Sequence, residues 1–127
     1  MDEYERMLDE LQDAGVIFHD EPLPNCDGLY RETPQYKYIN VNRTLPKRQR
    51  LTALAHEIGH LRTMSLIGTP GQIEMRAIKY AVFRIVPLKR LVKAIQIGHR
   101  TIYELAEHFD VDEKFMRQAL HIYGLSI

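Results

Sequence analysis

Residues 46–63 read PKRQRLTALAHEIGHLRT, and the interpretation of the whole chain starts from this stretch. Pro46 suits the beginning of a helix, where its missing N–H is not needed. After Pro46, mostly apolar residues recur at the spacing of one helix face. They are Leu51, Leu54, Ala55, Ile58, Leu61 and Ser65. The spacing predicts a helix of about 18 residues that begins near Pro46 and buries one face in the core.

Inside that helix lies the pentapeptide His56-Glu57-Ile58-Gly59-His60. Two imidazoles four residues apart share a helix face, so both can bind one metal ion. The carboxylate between them lies beside that face and can take a proton from a water molecule on the metal. Gly59 costs about 1 kcal/mol relative to alanine inside a helix, which indicates close approach by backbone or ligand. The alternative is a helix that carries two ordinary histidines.

Glu74 is the best candidate for a third ligand, since a catalytic zinc usually has three protein ligands and one open position. Thr69 and Pro70 predict the N-cap and first residue of a second helix that runs to about Pro87. On this helix Glu74 shares a stripe with small and apolar side chains: Ala77, Ile78, Ala81 and Ile85. A carboxylate there needs a positive partner, which a metal would supply. The alternative is an exposed Glu74 that the helix dipole favours.

Several segments together resemble the ImmA/IrrE family of metallopeptidases, most closely its short versions carried by prophages and integrative elements of Gram-positive bacteria. They are Tyr38 to Asn42, Ala55 to His60, Glu74 to Ala81 with Pro87, and Arg100 to Glu107. The resemblance departs at Ile78, where some relatives have Asp or Asn, and in the short connection from His60 to Glu74.

The resemblance implies a zinc-dependent endopeptidase of the HExxH type. It implies that His56, His60 and Glu74 bind Zn²⁺ and that Glu57 is the catalytic general base. It also implies a protein partner, namely a helix-turn-helix repressor of a prophage or mobile element, whose cleavage would relieve repression.

Length and composition predict one domain, 1–127, with 1–45 as helix and sheet, 46–87 as the metal-site helices and 88–127 as a helical part. Apolar residues make up 45% and charged residues 27%, as in ordinary soluble domains. No apolar run is long enough to span a membrane, and the acidic N-terminus is unlike a signal peptide. Cys26 cannot form an internal disulfide, which favours a cytoplasmic location, and we expect no role for it in the site.

The fold class predicted is α+β, with a small N-terminal antiparallel sheet packed on a helical body. An amphipathic helix should end at Gly15, and after residue 45 the chain should be helical to its end. Short apolar runs between turn residues predict three strands, at 16–18, 29–30 and 36–41. We expect the 36–41 strand to be an edge to which an extended substrate could pair.

Charge is unevenly distributed although the net charge is zero. Residues 1–21 contain eight acidic and one basic side chain, and residues 43–100 contain twelve basic and two acidic ones. Those two acids are Glu57 and Glu74, the two assigned to the site. The basic surplus could attract an acidic substrate or nucleic acid, or it could be solvated and pair with the acidic N-terminal helix.

Residues 101–123 predict a helical hairpin. Thr101 to Glu104 form a capping box, and Asp112 caps a second helix. Apolar residues should pack between the two helices: Leu105, Ala106, Val111, Met116 and Leu120. The second helix offers Lys114, Arg117 and Gln118 to a partner, but three acids at its start would repel phosphate, so DNA binding is not expected.

The sequence supports two functional hypotheses. In the first, the protein is a zinc endopeptidase, and Tyr80, His99 and His121 are chemically able to stabilise the oxyanion. In the second, it is a non-catalytic regulatory module with a metal site and a DNA- or protein-binding hairpin. Glu57 favours the first, because a purely structural site needs ligands and no base.

Overall fold

The computed structural model describes residues 1–63 and 66–126. Its first helix, α1, spans Glu3–Asp13 and begins with a capping box between Asp2 and Glu5. The helix ends where predicted, because Gly15 has a φ of +72° that favours glycine. Met7 and Leu11 are fully buried on the predicted apolar face.

A three-stranded sheet follows, with β1 at Ile17–His19, β2 at Gly28–Glu32 and β3 at Lys37–Val41. The strand order is β1-β3-β2, so β3 is central. It pairs antiparallel with β2 and parallel with β1. The prediction of an antiparallel sheet was therefore wrong for β1, and the prediction that the 36–41 strand is an edge was wrong altogether.

The cause of this order is the segment between β1 and β2, which crosses one end of β3. Two buried asparagines near that end hold it. Asn40 accepts a hydrogen bond from the backbone N–H of Glu21 at 2.9 Å, and the Asn42 amide donates to the carbonyl of Leu23 at 2.9 Å. The crossing carries β2 to the far side of β3, so β3 inserts between strands that would otherwise be neighbours.

The rest of the described chain is helical, which confirms the α+β fold class. The helices are α2 at Lys47–Arg62, α3 at Pro70–Ile85, α4 at Leu88–Gln96, α5 at Ile102–Phe109 and α6 at Glu113–Tyr123. α2 and α3 have the predicted starts, and Thr69 forms a capping box with Gln72. Ser65, which the helical spacing of α2 included, lies outside the described residues.

The C-terminal hairpin predicted from the sequence is confirmed as α5 and α6. The five apolar residues predicted between its helices are all buried. Asp110 ends α5 in the left-handed conformation, with φ of 56°, and Asp112 caps α6 by accepting from the N–H of Phe115 at 2.8 Å. Arg48 on α2 anchors the hairpin through ion pairs with Glu107 and Asp110 at 2.9 and 2.7 Å.

The acidic N-terminal helix pairs with a basic helix surface, as one of the two alternatives predicted. Arg84 on α3 donates to Glu3 at 2.7 Å and forms a second, close ion pair with Glu10. Both pairs are only partly exposed, so they fix α1 against α3 more firmly than a fully solvated pair would. Among the described helices, none combines the length and the hydropathy needed to cross a lipid bilayer.

Candidate metal centre

His56, His60 and Glu74 converge where α2 packs against α3. One ligand atom from each lies within 4.8 Å of the others. Glu74 Oε1 is 2.5 Å from His56 Nε2, and Glu74 Oε2 is 3.4 Å from His60 Nε2. The Glu74 side chain is 50% exposed, yet both of its oxygens face imidazole nitrogens. The structure therefore brings together the three residues that the sequence predicted as ligands.

Gly59 is the reason that α3 can bring Glu74 so close to α2. A Cβ at this position would lie 2.7 Å from the carbonyl oxygen of Ala77 and 2.8 Å from its Cα. These are backbone atoms of α3, which cannot turn aside as a flexible side chain could. Ala77 and Ala81 are both buried at the same contact, so small residues on each helix permit the approach. The prediction that backbone or ligand approaches Gly59 is confirmed, and the partner is backbone.

We expect Gly59→Ala to force α2 and α3 apart, which should lower stability by about 1–3 kcal/mol, as overpacking does. Because Glu74 lies on α3, the variant should also bind zinc more weakly. Chemical denaturation and a zinc competition titration measure the two effects. Gly71→Ala is the matched control: nothing lies within 4 Å of a Cβ there, so it should be neutral or stabilising. Wild-type zinc affinity in Gly59→Ala would contradict the helix-approach argument.

The electrostatics of the cluster suit metal binding. Burial, followed by the charge of His56, lowers the pKa of His60, which favours the neutral imidazole that a metal requires. Two imidazoles and one carboxylate form a donor set of the kind that holds catalytic zinc. The residues present thus fit a divalent metal ion, with His56, His60 and Glu74 as the three candidates to hold it.

Glu57 is almost fully buried, with 7% of its surface exposed, and its side chain reaches the same cleft as His56. Burial, and secondarily the charge of Glu74, raises the pKa of Glu57 to about 8. A carboxyl group with a pKa near neutrality can both accept and return a proton at physiological pH. A bound cation would favour its ionised form and bring the pKa down.

Gly28, the first residue of β2, leaves the space that the Glu57 carboxyl group occupies. A Cβ at residue 28 would lie 2.9 Å from both Cγ and Oε2 of Glu57. On the same strand, the Tyr30 ring stacks nearly parallel to the His60 ring, with centroids 6.3 Å apart. Edge strand β2 therefore passes directly over the candidate metal centre. Sequence reasoning missed Gly28, because nothing local to a glycine before a short strand indicates contact with a helix.

The cleft in front of the centre has a volume of about 450 Å³. One wall is formed by Cys26, Asp27 and Gly28, and the other by the beginning of α6. Cys26, for which we expect no role, is exposed and lines this cleft although it lies far from residues 56–60 in the chain. Side chains on α6 that face the cleft are those of Asp112, Lys114, Phe115 and Gln118. The hairpin is thus part of the cleft, a long-range contact that no local pattern in the sequence predicts.

The three side chains suggested for oxyanion stabilisation do not line the cleft. The Tyr80 hydroxyl accepts a hydrogen bond from Arg84 at 3.2 Å, on the side of α3 that faces α1. His99 stacks on His108 with ring centroids 4.6 Å apart, and His121 is exposed on α6. Among the described lining residues outside the candidate ligand set, Gln49, Lys114 and Gln118 are the side chains whose N–H groups can donate to a substrate carbonyl.

Comparison with known proteins agrees with this geometry. A family model described as Peptidase_M78, IrrE N-terminal-like domain, matches residues 11–121, which is most of the chain. The match contains the sheet, all three candidate ligands, Glu57 and most of the hairpin. No curated protein matches the chain.

Proposed function

The chain belongs to the Peptidase_M78 family of IrrE N-terminal-like domains, which gives it a metallopeptidase type of function, and on this premise we propose that it is a zinc-dependent endopeptidase. The observation that carries the proposal is the convergence of His56, His60 and Glu74 beside Glu57 in an open cleft. A purely structural zinc site usually has four protein ligands, and it does not need a buried carboxyl group beside the metal.

His56, His60 and Glu74 hold the metal in this proposal. When bound, zinc supplies a Lewis acid that acidifies water and polarises a carbonyl group. Glu57 takes the proton from the attacking water at a carboxylate oxygen and passes it to the nitrogen of the leaving amine. The absence of a side chain at Gly28 gives that carboxyl group its room, and Gln49, Lys114 or Gln118 donates to the carbonyl oxygen as negative charge develops on it.

β2 is the strand that we propose for substrate binding, in place of β3. The pairing of β3 with both neighbours satisfies its backbone, whereas β2 pairs only with β3 and has a free edge. An extended peptide added to β2 would pass Gly28 and Tyr30, next to Glu57 and His60. Backbone hydrogen bonds would then place the scissile bond at the metal centre.

A helix-turn-helix repressor of a prophage or mobile element is the substrate that we propose. The test is incubation of the protein with the repressor encoded nearest its gene, with zinc and with a chelator. Cleavage at one or few sites is expected with zinc, and none with the chelator. An intact repressor in the presence of zinc-loaded protein would contradict the choice of substrate, and cleavage that the chelator does not affect would contradict the metal mechanism.

The hairpin offers a second test, because its two exposed cations differ in position. Lys114 faces the cleft, whereas Arg117 forms a surface pair with Glu113 at 3.8 Å and does not line the cleft. We expect Lys114→Glu to reduce repressor cleavage by about tenfold or more through repulsion and a lost hydrogen bond. Arg117→Glu, which makes the same change in charge, should cleave like the wild type. Zinc content should stay unchanged in both.

Equal losses in the two variants would mean that overall charge, and not the cleft wall, controls docking. Salt-sensitive binding to duplex DNA, weakened by the same two changes, would instead favour the non-catalytic regulatory module. The position of Lys114 and Gln118 in the cleft argues against that alternative, since these are among the side chains that α6 would need to present to DNA.

A further inference from the structure

A second cavity, with a volume of about 520 Å³, lies on the face of α2 opposite the candidate metal centre. The beginning of α1, the first turn of α2 and the end of α3 enclose it. On α2, Lys47 and Leu51 face this cavity, whereas Thr52 and His56 face the metal cleft. No residue lines both cavities, so the second is a separate candidate site.

The cavity is strongly cationic. Its lining contains six basic side chains and three acidic ones, and the six are Arg6, Lys47, Arg48, Arg50, Arg84 and Arg90. All three acids are already engaged. Asp2 caps α1 by accepting from the N–H of Glu5 at 2.8 Å, Glu3 accepts from Arg84, and Asp110 accepts from Arg48. The carboxylates therefore neutralise only part of the positive charge.

Lys47, Arg50 and Arg90 are the cations left over. Within residues 1–63 and 66–126, none of the three forms an ion pair with a carboxylate. Arg90 lies over the ring of Phe109, with its guanidinium carbon 5.3 Å from the centroid. Three cations share one concavity in which Asp2 is the one lining carboxylate without an ion pair among the described residues, and a bound anion would relieve the repulsion that remains.

Arg50 adds a second observation, an unsatisfied hydrogen-bond donor on a residue that lines the cavity. Its Nε is enclosed and has no hydrogen-bond partner, and it is the one buried side-chain nitrogen or oxygen atom of the described residues in that condition. Buried polar groups are almost always paired, because leaving one unpaired costs its full desolvation energy. The start of α2 strengthens the same field, since its N-cap, Pro46, provides no side-chain hydrogen bond and its first turn contains no acid.

We propose that this cavity binds a small molecule that carries a phosphate group. Arg50 and Lys47 contact the phosphate. Arg90, stacked on Phe109, forms one wall of the cavity. A phosphate matches the site better than a single carboxylate does, because it offers more acceptor oxygens and up to two negative charges to three cations. The cavity volume lies in the range of about 300–1,000 Å³ typical of small-molecule sites, and Tyr4 and Phe109 supply an aromatic surface for the rest of the ligand.

Binding of inorganic phosphate and of phenyl phosphate, measured by calorimetry and by NMR titration, tests the proposal. Wild-type protein should bind both, with phenyl phosphate tighter because of its ring. Arg50→Met and Lys47→Met should each weaken binding by about tenfold or more. Lys79→Met is the matched control, since Lys79 is exposed on α3 and does not line the cavity. It removes the same charge and should bind like the wild type.

Two results would overturn the proposal. They are no binding of either probe by the wild type, whether or not the protein binds duplex DNA through Arg50, and an equal loss in Lys79→Met. Lys47 is exposed, so Lys47→Met keeps the test decisive even if Arg50→Met folds poorly. The readout is binding alone, so it does not depend on the proposed peptidase activity.

Discussion

Glu57→Gln is expected to reduce repressor cleavage by about 10²–10⁴-fold, the usual contribution of a general base, while bound zinc stays in place. The amide has the shape of the carboxyl group but cannot accept the proton of the attacking water. Zinc should remain because Glu57 is not one of the three residues whose ligand atoms converge. Cleavage rates under single-turnover conditions and metal content of the same samples are the two measurements.

The fold should survive this change for an electrostatic reason. Without metal, burial raises the pKa of Glu57 to about 8, so at neutral pH the protein already accommodates a neutral side chain at this position. Glutamine is neutral and of equal size, so melting temperature after chelation should not fall. A raised folded-state pKa means that this carboxyl group favours folding at low pH, and that its contribution is lost as pH rises towards 8. Glu57→Gln should remove that part of the pH dependence.

Glu107→Gln is the matched control for the catalytic variant. Its carboxylate pairs with Arg48 at 2.9 Å on the other face of α2 and does not line the metal cleft. The same chemical change there should leave cleavage unaltered, because Asp110 still anchors the hairpin to Arg48 at 2.7 Å. Equal cleavage by wild type and Glu57→Gln would exclude Glu57 as the base, even if zinc and substrate are both correct.

The second large effect concerns the metal ligands. His56→Ala, His60→Ala and Glu74→Ala should each lower zinc affinity by at least about a hundredfold, because even groups that only orient a ligand contribute 10–100-fold. Glu74 is the informative member, since it comes from a different helix from the histidines. Its loss would leave two imidazoles, which are too few for the three-ligand site that a catalytic zinc requires.

Competition with a chromophoric chelator measures the affinities, and elemental analysis after dialysis measures occupancy. Glu57→Gln and Glu107→Ala serve as controls that should keep wild-type values. Full zinc retention by Glu74→Ala would remove the third-ligand assignment. The ion pair of Glu107 with Arg48 already argues against Glu107 as a replacement ligand, so Asp27 or Asp112 in the cleft would then be tested.

Local sequence patterns were enough to predict the parts of the site that lie within one helix. The spacing of His56 and His60 places both imidazoles on one face of any helix, whatever surrounds that helix. Thr69 and Pro70 fix where α3 begins, because capping and the proline ring act on the nearest turn alone. Gly59 also indicated a close contact, although the sequence could not say which backbone would make it.

Which distant segments meet at the metal centre depends on long-range packing, which the folded structure alone shows. The order of the strands depends on a crossing that Asn40 and Asn42 hold, so hydrophobic alternation could not show that β2 is an edge strand and β3 is not. Gly28 and Lys114 lie far from residue 57 in the chain, yet both reach its cleft. Periodicity records which face a residue occupies on its own element, and it contains no information about which other element packs there.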